Sequence, residues 1–467
     1  MTTRIEKDSM GEMEVPASAY YGAQTARAVH NFPISGLKPH PAFVRAVVVI
    51  KKAAARANMA TGRLSREIGD AIVGAADEAL AGRFDDQFVV DPFQAGAGTS
   101  HNMNVNEVLA NRALELLGKE RGDFSALHPN DHVNMAQSTN DVIPTAIRLA
   151  SLGQLDPLLE ALEGLERALA GKAKEFDHVL KSGRTHLQDA VPIRLGQEFG
   201  AYSAAVRANR EGLEACVPAL LELGIGGTAV GTGLNAEPAY IRHIIGELAL
   251  ETGFPVTASP DLFRAMQDMD PFLAISSALR RTAVNLGRIA NDLRLLSSGP
   301  RTGLDEIRLP AIQPGSSIMP GKINPSMAEM VNMVCFQVMG CDQAVTLAAQ
   351  AGQLELNVMM PLIAFNVLFS MEILKNCVQK FTESCILGIK ANEERCRRYL
   401  MDSLGLVTVL APYIGYNAAA EVAKESVASG RSIREIVLAR GLLPEGELEE
   451  IMRPEHLTEP GLPLRKA

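Results

Sequence analysis

The chain has 467 residues, enough for about three domains of ordinary size, and 54 acidic against 45 basic side chains give it a formal net charge of −9. No block rich in lysine and arginine is present, which argues against a nucleic-acid-binding protein, because such proteins bind through a basic surface. No run of about 18 uncharged apolar residues occurs, so a membrane-spanning protein is not expected.

The cysteines and the N-terminal segment predict the cellular compartment. Six cysteines are spread along the chain without a Cys-x-x-Cys pair, which is typical of reduced thiols in a protein core. The first residues are charged and lack the apolar stretch of a secretory signal. We therefore expect a cytoplasmic protein.

In chain order, short elements come first and long helices follow. Residues 1–40 are interrupted by glycine and proline and predict short elements, with a small hairpin around Met10–Val15. Apolar residues then recur every three or four positions over 155–176 and again over 275–296, the spacing of long amphipathic helices. Further long helices are predicted from about Leu195 to Val217 and after the prolines at 325 and 361.

These elements predict an all-α fold in three domains, with a central bundle of long helices. The boundaries fall near residues 140 and 393, giving an N-terminal domain (1–140), a bundle domain (141–393) and a small C-terminal helical domain (394–467). In the last of these, Gly430 ends one helix and Ser432 to Glu435 form a capping box for the next. Helices of some 30 residues span about 45 Å, which is long for one domain and indicates an oligomer.

Four segments interrupt the helical pattern with glycine, serine, threonine, asparagine and proline. Each is typical of a turn between helices when taken alone, but together they supply many hydroxyl and amide donors and few carboxylates. Lys322, Arg184 and His186 add cationic or titratable groups, and the mixture suits a dianionic substrate. The four segments are 96–104, 128–141, 183–189 and 315–325.

Three familiar motifs are matched only in part. The Gly224–Ala229 segment has the glycine spacing of a dinucleotide site, but it follows a helical run and lacks a surrounding βαβ pattern. His128 and His132 have the spacing of a zinc pair, but Pro129 disfavours the helix and the glutamate is missing. The segment from Gly315 to Lys322 differs from a P-loop in spacing and lacks the final Ser/Thr. No metal or cofactor is therefore expected, although activation by a divalent cation is left open.

A serine in the last of these loops is a candidate base. Ser316 and Ser317 lie among glycine and proline, so the loop does not form regular helix. A serine hydroxyl is a weak base unless N–H groups or a cation stabilise its alkoxide. Lys322 can supply that charge either to the serine oxygen or to a substrate carboxylate.

Taken together, these segments resemble the fumarase/aspartase superfamily along essentially the whole chain. The loop Gly-Ser-Ser-Ile-Met-Pro-Gly-Lys-Ile-Asn-Pro (315–325) is similar to the signature of that superfamily. The segments Tyr-Tyr-Gly-Ala-Gln-Thr (20–25), Asn-Met-Asn-Val-Asn-Glu-Val (102–108) and Gly-Thr-Ala-Val-Gly-Thr-Gly-Leu-Asn (227–235) agree with it as well.

The resemblance implies a lyase that removes a proton beside one carboxylate of a small dicarboxylate, forms an enediolate, and expels the group on the next carbon. It also implies the fold of that superfamily and a homotetramer whose sites are shared between chains. Ser316 would be the base, His186 and Asn140 would face the leaving group, and Glu329 would support the histidine. The substrate carboxylates would be held by Thr99, Ser138, Thr139, Ser317, Lys322, Asn324 and Thr185, with Met319 beside them.

The leaving group is indicated by finer details of the same segments. The segments 96–100, 134–141 and 351–359 resemble aspartases more than fumarases, which favours L-aspartate and ammonia; a class II fumarase acting on L-malate is the alternative. Two departures from similar aspartases are Met360, where glutamate is usual, and His101 beside Thr99 and Ser100. A non-catalytic helical scaffold is a second alternative, but the matched site positions are all intact.

Overall fold

The computed structural model describes residues 2–461 and is mainly helical. The chain opens with an antiparallel hairpin, which confirms the prediction around Met10–Val15. Its first strand pairs with its second from Thr3 opposite Pro16 to Asp8 opposite Gly11. The elements of this N-terminal part are β1 (Thr3–Asp8), β2 (Gly11–Pro16), α1 (Ala23–Asn31), α2 (Pro41–Ala60), α3 (Arg66–Leu80) and α4 (Thr99–Leu116).

The middle of the chain holds five long helices separated by short strands and helices. The long ones are α5 (Thr139–Glu175), α6 (Leu195–Glu214), α10 (Asp270–Leu296), α11 (Ser326–Gln350) and α12 (Met360–Ser384). The intervening elements are β3 (Leu180–Thr185), β4 (Gln188–Arg194), α7 (Val217–Leu221), β5 (Glu222–Leu223), α8 (Pro238–Thr252), β6 (Thr257–Ala258), α9 (Leu262–Gln267) and β7 (Ile307–Arg308).

The helices become shorter after residue 390, as predicted. Gly430 ends α15 in a left-handed conformation, and Ser432 and Glu435 form the expected capping box at the start of α16. The C-terminal elements are β8 (Lys390–Ala391), α13 (Glu393–Asp402), α14 (Leu406–Ile414), α15 (Tyr416–Ser429), α16 (Ile433–Ala439), α17 (Glu445–Ile451) and α18 (Pro454–Thr458).

The apolar stripes of α5 and α10 lie in the protein core, which confirms the periodicity argument. Leu158, Leu162 and Leu165 have no exposed surface, and the same holds for Ile289 and Leu293. Burying a leucine or isoleucine side chain contributes about 1.5–3 kcal/mol, so these stripes hold the long helices to their neighbours.

Two compact units make up the chain, each from separate stretches of sequence. The first comprises the chain up to Glu160 with Asn209–Ala283 and Cys335–Lys375; the second comprises Ala161–Ala208, Val284–Val334 and the chain from Asn376 onward. The predicted boundaries near 140 and 393 coincide with the starts of α5 and α13. The three-domain division stays a prediction.

A single stretch among the described residues, Met360–Gly388, is long and apolar enough to cross a membrane by length and composition. Its most apolar window has a mean hydropathy of 1.3 and is 56% buried inside the protein. Glu372 and Lys375 interrupt the stretch, so it does not form the uncharged run that the sequence criterion requires. Core helices share this composition and this degree of burial.

One prediction about the Gly224 segment was wrong in detail. A two-residue strand, β5, precedes it and pairs in parallel with β6, and α8 lies between them. The next helix begins only at Pro238, so the glycines do not open a helix as they do in a dinucleotide site. Parallel pairing of so short a strand depends on tertiary packing, which the local sequence does not encode.

Candidate active site

Four of the predicted binding residues lie where two helices begin in the first unit. Thr99 is the first residue of α4, and Gly98 before it has a φ of 89°, a conformation that glycine adopts without strain. Ser138 directly precedes α5, and Thr139 and Asn140 are its first two residues. The backbone N–H groups in the first turn of a helix lack partners within the helix, so both helix starts can bind anions.

Asn102 brings these two helix starts together. Its side-chain amide donates to Asn134 Oδ1 at 3.2 Å and to Thr139 Oγ1 at 3.3 Å. Asn102 is buried and projects from the first turn of α4. The polar groups of 99–102 and 134–140 are therefore parts of one hydrogen-bonded arrangement.

A buried carboxylate joins the start of α5 to the glycine-rich segment after β5. Asp141 accepts hydrogen bonds from the backbone N–H groups of Ser138 at 2.9 Å and of Gly226 and Thr228 at 3.0 Å. Asn140 adds a second link, because its side-chain amide donates to Ala229 O at 2.8 Å. Burial raises the pKa of Asp141 to about 6, although the three N–H donors oppose the shift.

Lys51 is a functional candidate that sequence reasoning missed. It has no exposed surface, and its Nζ donates to Asn134 Oδ1 at 2.8 Å and to Gln137 Oε1 at 3.0 Å. Burial lowers the pKa of Lys51 to about 7, while attraction to Asp141 acts in the opposite direction. The available signal was a Lys-Lys pair in the apolar helix α2.

This buried lysine predicts a particular dependence of stability on pH. Because the pKa of Lys51 is lower in the folded protein than in the unfolded chain, the unfolded chain binds more protons between about pH 7 and 10. The stability that Lys51 contributes therefore rises with pH in that window, by at most about 1.4 kcal/mol per pH unit. The free energy of unfolding of wild type minus that of Lys51→Met should increase from pH 7 to pH 10, as measured by denaturant titration.

The neighbouring lysine provides the control. Lys52 forms ion pairs with Asp77 at 2.8 Å and Glu251 at 2.7 Å. Partial burial acts to lower the pKa of Lys52, but the hydrogen bonds that its Nζ donates to these carboxylates outweigh burial and raise the pKa. The stability that Lys52 contributes is fully present below its ordinary pKa. The difference in free energy of unfolding between wild type and Lys52→Met should therefore not change from pH 7 to 10. A flat difference for Lys51→Met as well would show that Lys51 stays charged in the folded protein.

Thr185 and His186 lie in the second unit, at the tip of the hairpin formed by β3 and β4. Thr185 pairs with Gln188, so His186 and Leu187 form a two-residue turn. Their φ values are 56° and 59°, and positive φ at both positions is the mark of a type I′ turn, in which Asn-Gly is usual. Non-glycine residues in this conformation cluster at functional sites, and both predicted residues are exposed here.

The predicted base lies in the loop between β7 and α11. Ser316 Oγ accepts hydrogen bonds from the backbone N–H groups of Met319 at 2.9 Å and Ile318 at 3.3 Å. Two donors on one hydroxyl oxygen favour the alkoxide over the neutral hydroxyl. This is the local arrangement that a serine base requires.

The ends of this loop are held together by backbone contacts. Gly315 N–H donates to Lys322 O at 2.9 Å, and the Asn324 side-chain amide donates to Gly315 O at 2.7 Å. A Cβ at position 315 would lie 2.5 Å from Lys322 O, so only glycine fits there. Ser317, Met319 and Lys322 are exposed on the loop.

A cavity of about 840 Å³ adjoins the same loop in the second unit. Its lining includes the cationic side chains Arg294, Arg308 and Lys322 and one carboxylate, that of Asp305. This excess of positive charge in an acidic chain fits the binding of an anion next to the loop.

The remaining predicted residue, Glu329, lies half-buried in the first turn of α11. No hydrogen bond or ion pair joins it to His186 within the described part of a single chain. The pairing of these two residues therefore stays a prediction, as do the individual substrate contacts.

Both departures from the superfamily pattern are interior residues. His101 has no exposed surface and stacks on Phe43, with 4.7 Å between ring centroids. Burial lowers its pKa to about 3, so the ring is neutral at physiological pH. Met360 is also fully buried, at the start of α12. Neither side chain is exposed to a substrate in the single chain.

Comparison with known families agrees with this architecture. The sequence profile described as "Lyase" matches residues 11–340, and the profile described as "Fumarase C C-terminus" matches residues 406–459. An aspartate ammonia-lyase from Bacillus subtilis is 51% identical over 459 residues, which are 98% of this chain and 97% of the relative. An aspartate ammonia-lyase from Escherichia coli K12 is 49% identical over 460 residues, 98% of this chain and 96% of the relative.

Solved structures of similar sequence superpose closely on this chain. A structure described as fumarate lyase:delta crystallin from Brucella melitensis bound to cobalt superposes with a TM-score of 0.95 at 50% identity, covering 98% of this chain and all of that one. The class II fumarase of Schistosoma mansoni superposes with a TM-score of 0.93 at 39% identity, covering 97% and 98% of the two chains. The chain therefore belongs to the lyase family of the fumarases and aspartate ammonia-lyases, the fumarase/aspartase superfamily.

Proposed function

We propose that this lyase catalyses the reversible deamination of L-aspartate to fumarate and ammonia. The observation that carries the proposal is the identity of about half of all residues, over nearly full length, to enzymes named aspartate ammonia-lyase. Identity to a class II fumarase is 39%. The segments 96–100, 134–141 and 351–359 resemble aspartases more than fumarases, which agrees with the higher identity to the aspartate ammonia-lyases.

In the proposed reaction, the Ser316 alkoxide takes a proton from the carbon beside one carboxylate. The electron pair left behind moves into that carboxylate and forms an enediolate dianion. The electron pair then moves back from the carboxylate to form the carbon–carbon double bond. The carbon–nitrogen bond breaks at the same time, and ammonia leaves. The N–H groups of Ile318 and Met319 support the alkoxide, since both donate to Ser316 Oγ.

Neutral and cationic donors complete the proposed site. The carboxylate that gains charge is held by Thr99, Ser138, Thr139 and Ser317, where the starts of α4 and α5 add their backbone N–H groups. The other carboxylate is held by Lys322, Asn324 and Thr185, next to Met319. Asn140 and His186 face the leaving amine, and Glu329 supports the histidine. A donor aimed at developing charge is worth about 10²–10³ in rate.

The site is proposed to form only in a homotetramer. On α11, Met333, Phe336 and Leu347 are 64%, 63% and 52% exposed and share one helix face by their spacing of 3 and 11. On α10, Val284 and Leu295 are 50% and 41% exposed and, being 11 residues apart, also share one helix face. Apolar stripes on long helices are usually covered by another chain. Each site would then take 99–140, 185–186 and 316–324 from three different chains.

The proposal includes neither a cofactor nor a membrane. No group of three or more His, Cys, Asp or Glu side chains that could hold a metal ion occurs between residues 2 and 461. The six cysteines are free thiols, in keeping with the predicted cytoplasmic location. We expect the reaction itself to need no metal, with activation by a divalent cation left open, so activity should survive exhaustive dialysis against a chelator; complete loss of activity would contradict the proposed mechanism.

The substrate is tested by the ultraviolet absorbance of fumarate. We expect fumarate to form from L-aspartate with a kcat/KM at least about 100-fold above that for L-malate, because the two leaving groups place different demands on Asn140 and His186. Equal or greater activity with malate would support the fumarase alternative. No activity with either would support the scaffold alternative.

A further inference from the structure

A quartet of charged side chains includes two residues of β3, the first strand of the hairpin that carries Thr185 and His186. It consists of Lys181, Arg184, Glu198 and Glu306. Glu306 has no exposed surface and Lys181 has 1%. Lys181 Nζ is 2.9 Å from Glu198 Oε1 and 3.0 Å from Glu306 Oε2. Two positive and two negative charges thus balance in the second unit, with Lys181 and Glu306 buried and Arg184 and Glu198 partly exposed.

Arg184 contacts Glu306 with two of its nitrogens. Its Nη1 donates to Glu306 Oε2 at 3.0 Å, and its Nη2 lies 2.9 Å from Glu306 Oε1. The first contact is a hydrogen bond, which fixes the direction of the guanidinium, and the second is an ion-pair contact without a hydrogen bond to Oε1. Arg184 directly precedes Thr185, so this contact orients the strand end that presents Thr185 and His186.

The backbone of Glu306 is fixed at the stem of the Ser316 loop. Its N–H donates to Leu296 O at the end of α10, and its carbonyl accepts from Asn392 N–H before α13, both at 2.9 Å. The next two residues form β7, which pairs with β8, and the loop follows. One residue therefore contacts both the hairpin and the loop stem.

We propose that Glu306 is a positioning residue that holds the Thr185–His186 hairpin in register with the stem of the Ser316 loop. The assignment of those two elements to catalysis rests on the proposed function. Glu306 touches no substrate; it acts through Arg184 and through its own backbone. In a tetramer with shared sites, it would join elements that serve two different active sites.

The test compares two carboxylates of the same quartet. Glu306→Gln removes the charge that Arg184 contacts. The control Glu198→Gln also removes one negative charge, but within residues 2–461 the ion pair of Glu198 is with Lys181 and not with Arg184. We expect kcat/KM for L-aspartate to fall about 10- to 100-fold in Glu306→Gln, since misplacement of site groups by about 1 Å has effects of that size. Glu198→Gln should stay within about threefold of wild type, because Lys181 keeps its contact with Glu306.

Hydrogen–deuterium exchange separates positioning from a general loss of stability. In Glu306→Gln, exchange should rise in peptides covering 180–194 and 303–315 and stay unchanged in α2. An equal rise in α2, or a kcat/KM within about threefold of the control, would overturn the proposal. If Glu306→Gln does not fold, Arg184→Lys replaces it, because lysine keeps the charge but has a single nitrogen and cannot contact both carboxylate oxygens as the guanidinium does. Exchange in 180–194 should then rise, and unchanged exchange would overturn the proposal.

The same experiment distinguishes this proposal from the proposed function. Exchange is measured without substrate, so it reports on the role of Glu306 even if wild type prefers malate or has no activity. Wild type without aspartate activity would contradict the proposed function alone. Wild type with aspartate activity and no difference between the two variants would contradict the role of Glu306 alone.

Discussion

Ser316→Ala should lower kcat for L-aspartate by at least about 10²-fold and up to about 10⁴-fold, the range that a positioned acid or base contributes. The change removes the oxygen that accepts the N–H groups of Ile318 and Met319 and, with it, the proposed base. The loop keeps its other closing contacts through Gly315 and Asn324, so the proposed binding donors should stay in place. KM should therefore change little, as measured by steady-state kinetics.

Lys322→Met is the contrasting variant. It removes the charge-assisted hydrogen bond proposed between Lys322 and the substrate, worth roughly 1.5–3 kcal/mol, and so should raise KM as well as lower kcat. Circular dichroism and light scattering show whether both variants keep the fold and the assembly. If Ser316→Ala retains more than about a tenth of the wild-type kcat, Ser316 is not the base.

Two inactive variants should restore activity when they assemble together. One carries Thr99→Val and Asn140→Ala, and the other carries Ser316→Ala. If each site takes these segments from different chains, random mixing makes about one site in four free of any substitution. Co-refolded protein should then recover up to roughly a quarter of the wild-type kcat, measured with L-aspartate.

Two controls make this recovery interpretable. Each variant refolded alone should stay inactive, and native mass spectrometry should show mixed tetramers in the co-refolded sample. Mixed tetramers without recovered activity would show that each site is built within one chain. A fully active monomer would lead to the same conclusion.

The long helices were predictable because their apolar residues repeat every three or four positions over many turns. Burial of Leu158, Leu162 and Leu165 follows directly from that repeat. The capping box at Ser432 was predictable for a similar reason, since it depends on residues three apart. Features set by distant parts of the chain, such as the two-residue strand β5, were not.

The candidate site shows the same division between local and distant causes. Its loops were recognisable from their glycine, serine and asparagine content, but the sequence does not show what supports them. Lys51 and Lys52 are neighbours in α2, yet Lys51 donates to two side-chain amides and Lys52 forms ion pairs with two carboxylates. The turn at His186 and Leu187 also lacks the Asn-Gly signature that would identify it.

The most direct test of the proposed deamination runs the reaction backwards. Fumarate is incubated with the enzyme in ¹⁸O-labelled water, with and without ammonium, and the products are identified by mass spectrometry. We predict that fumarate is consumed only when ammonium is present and that the product is aspartate. Malate carrying ¹⁸O, formed without ammonium at a comparable rate, would contradict the account and identify the enzyme as a hydratase.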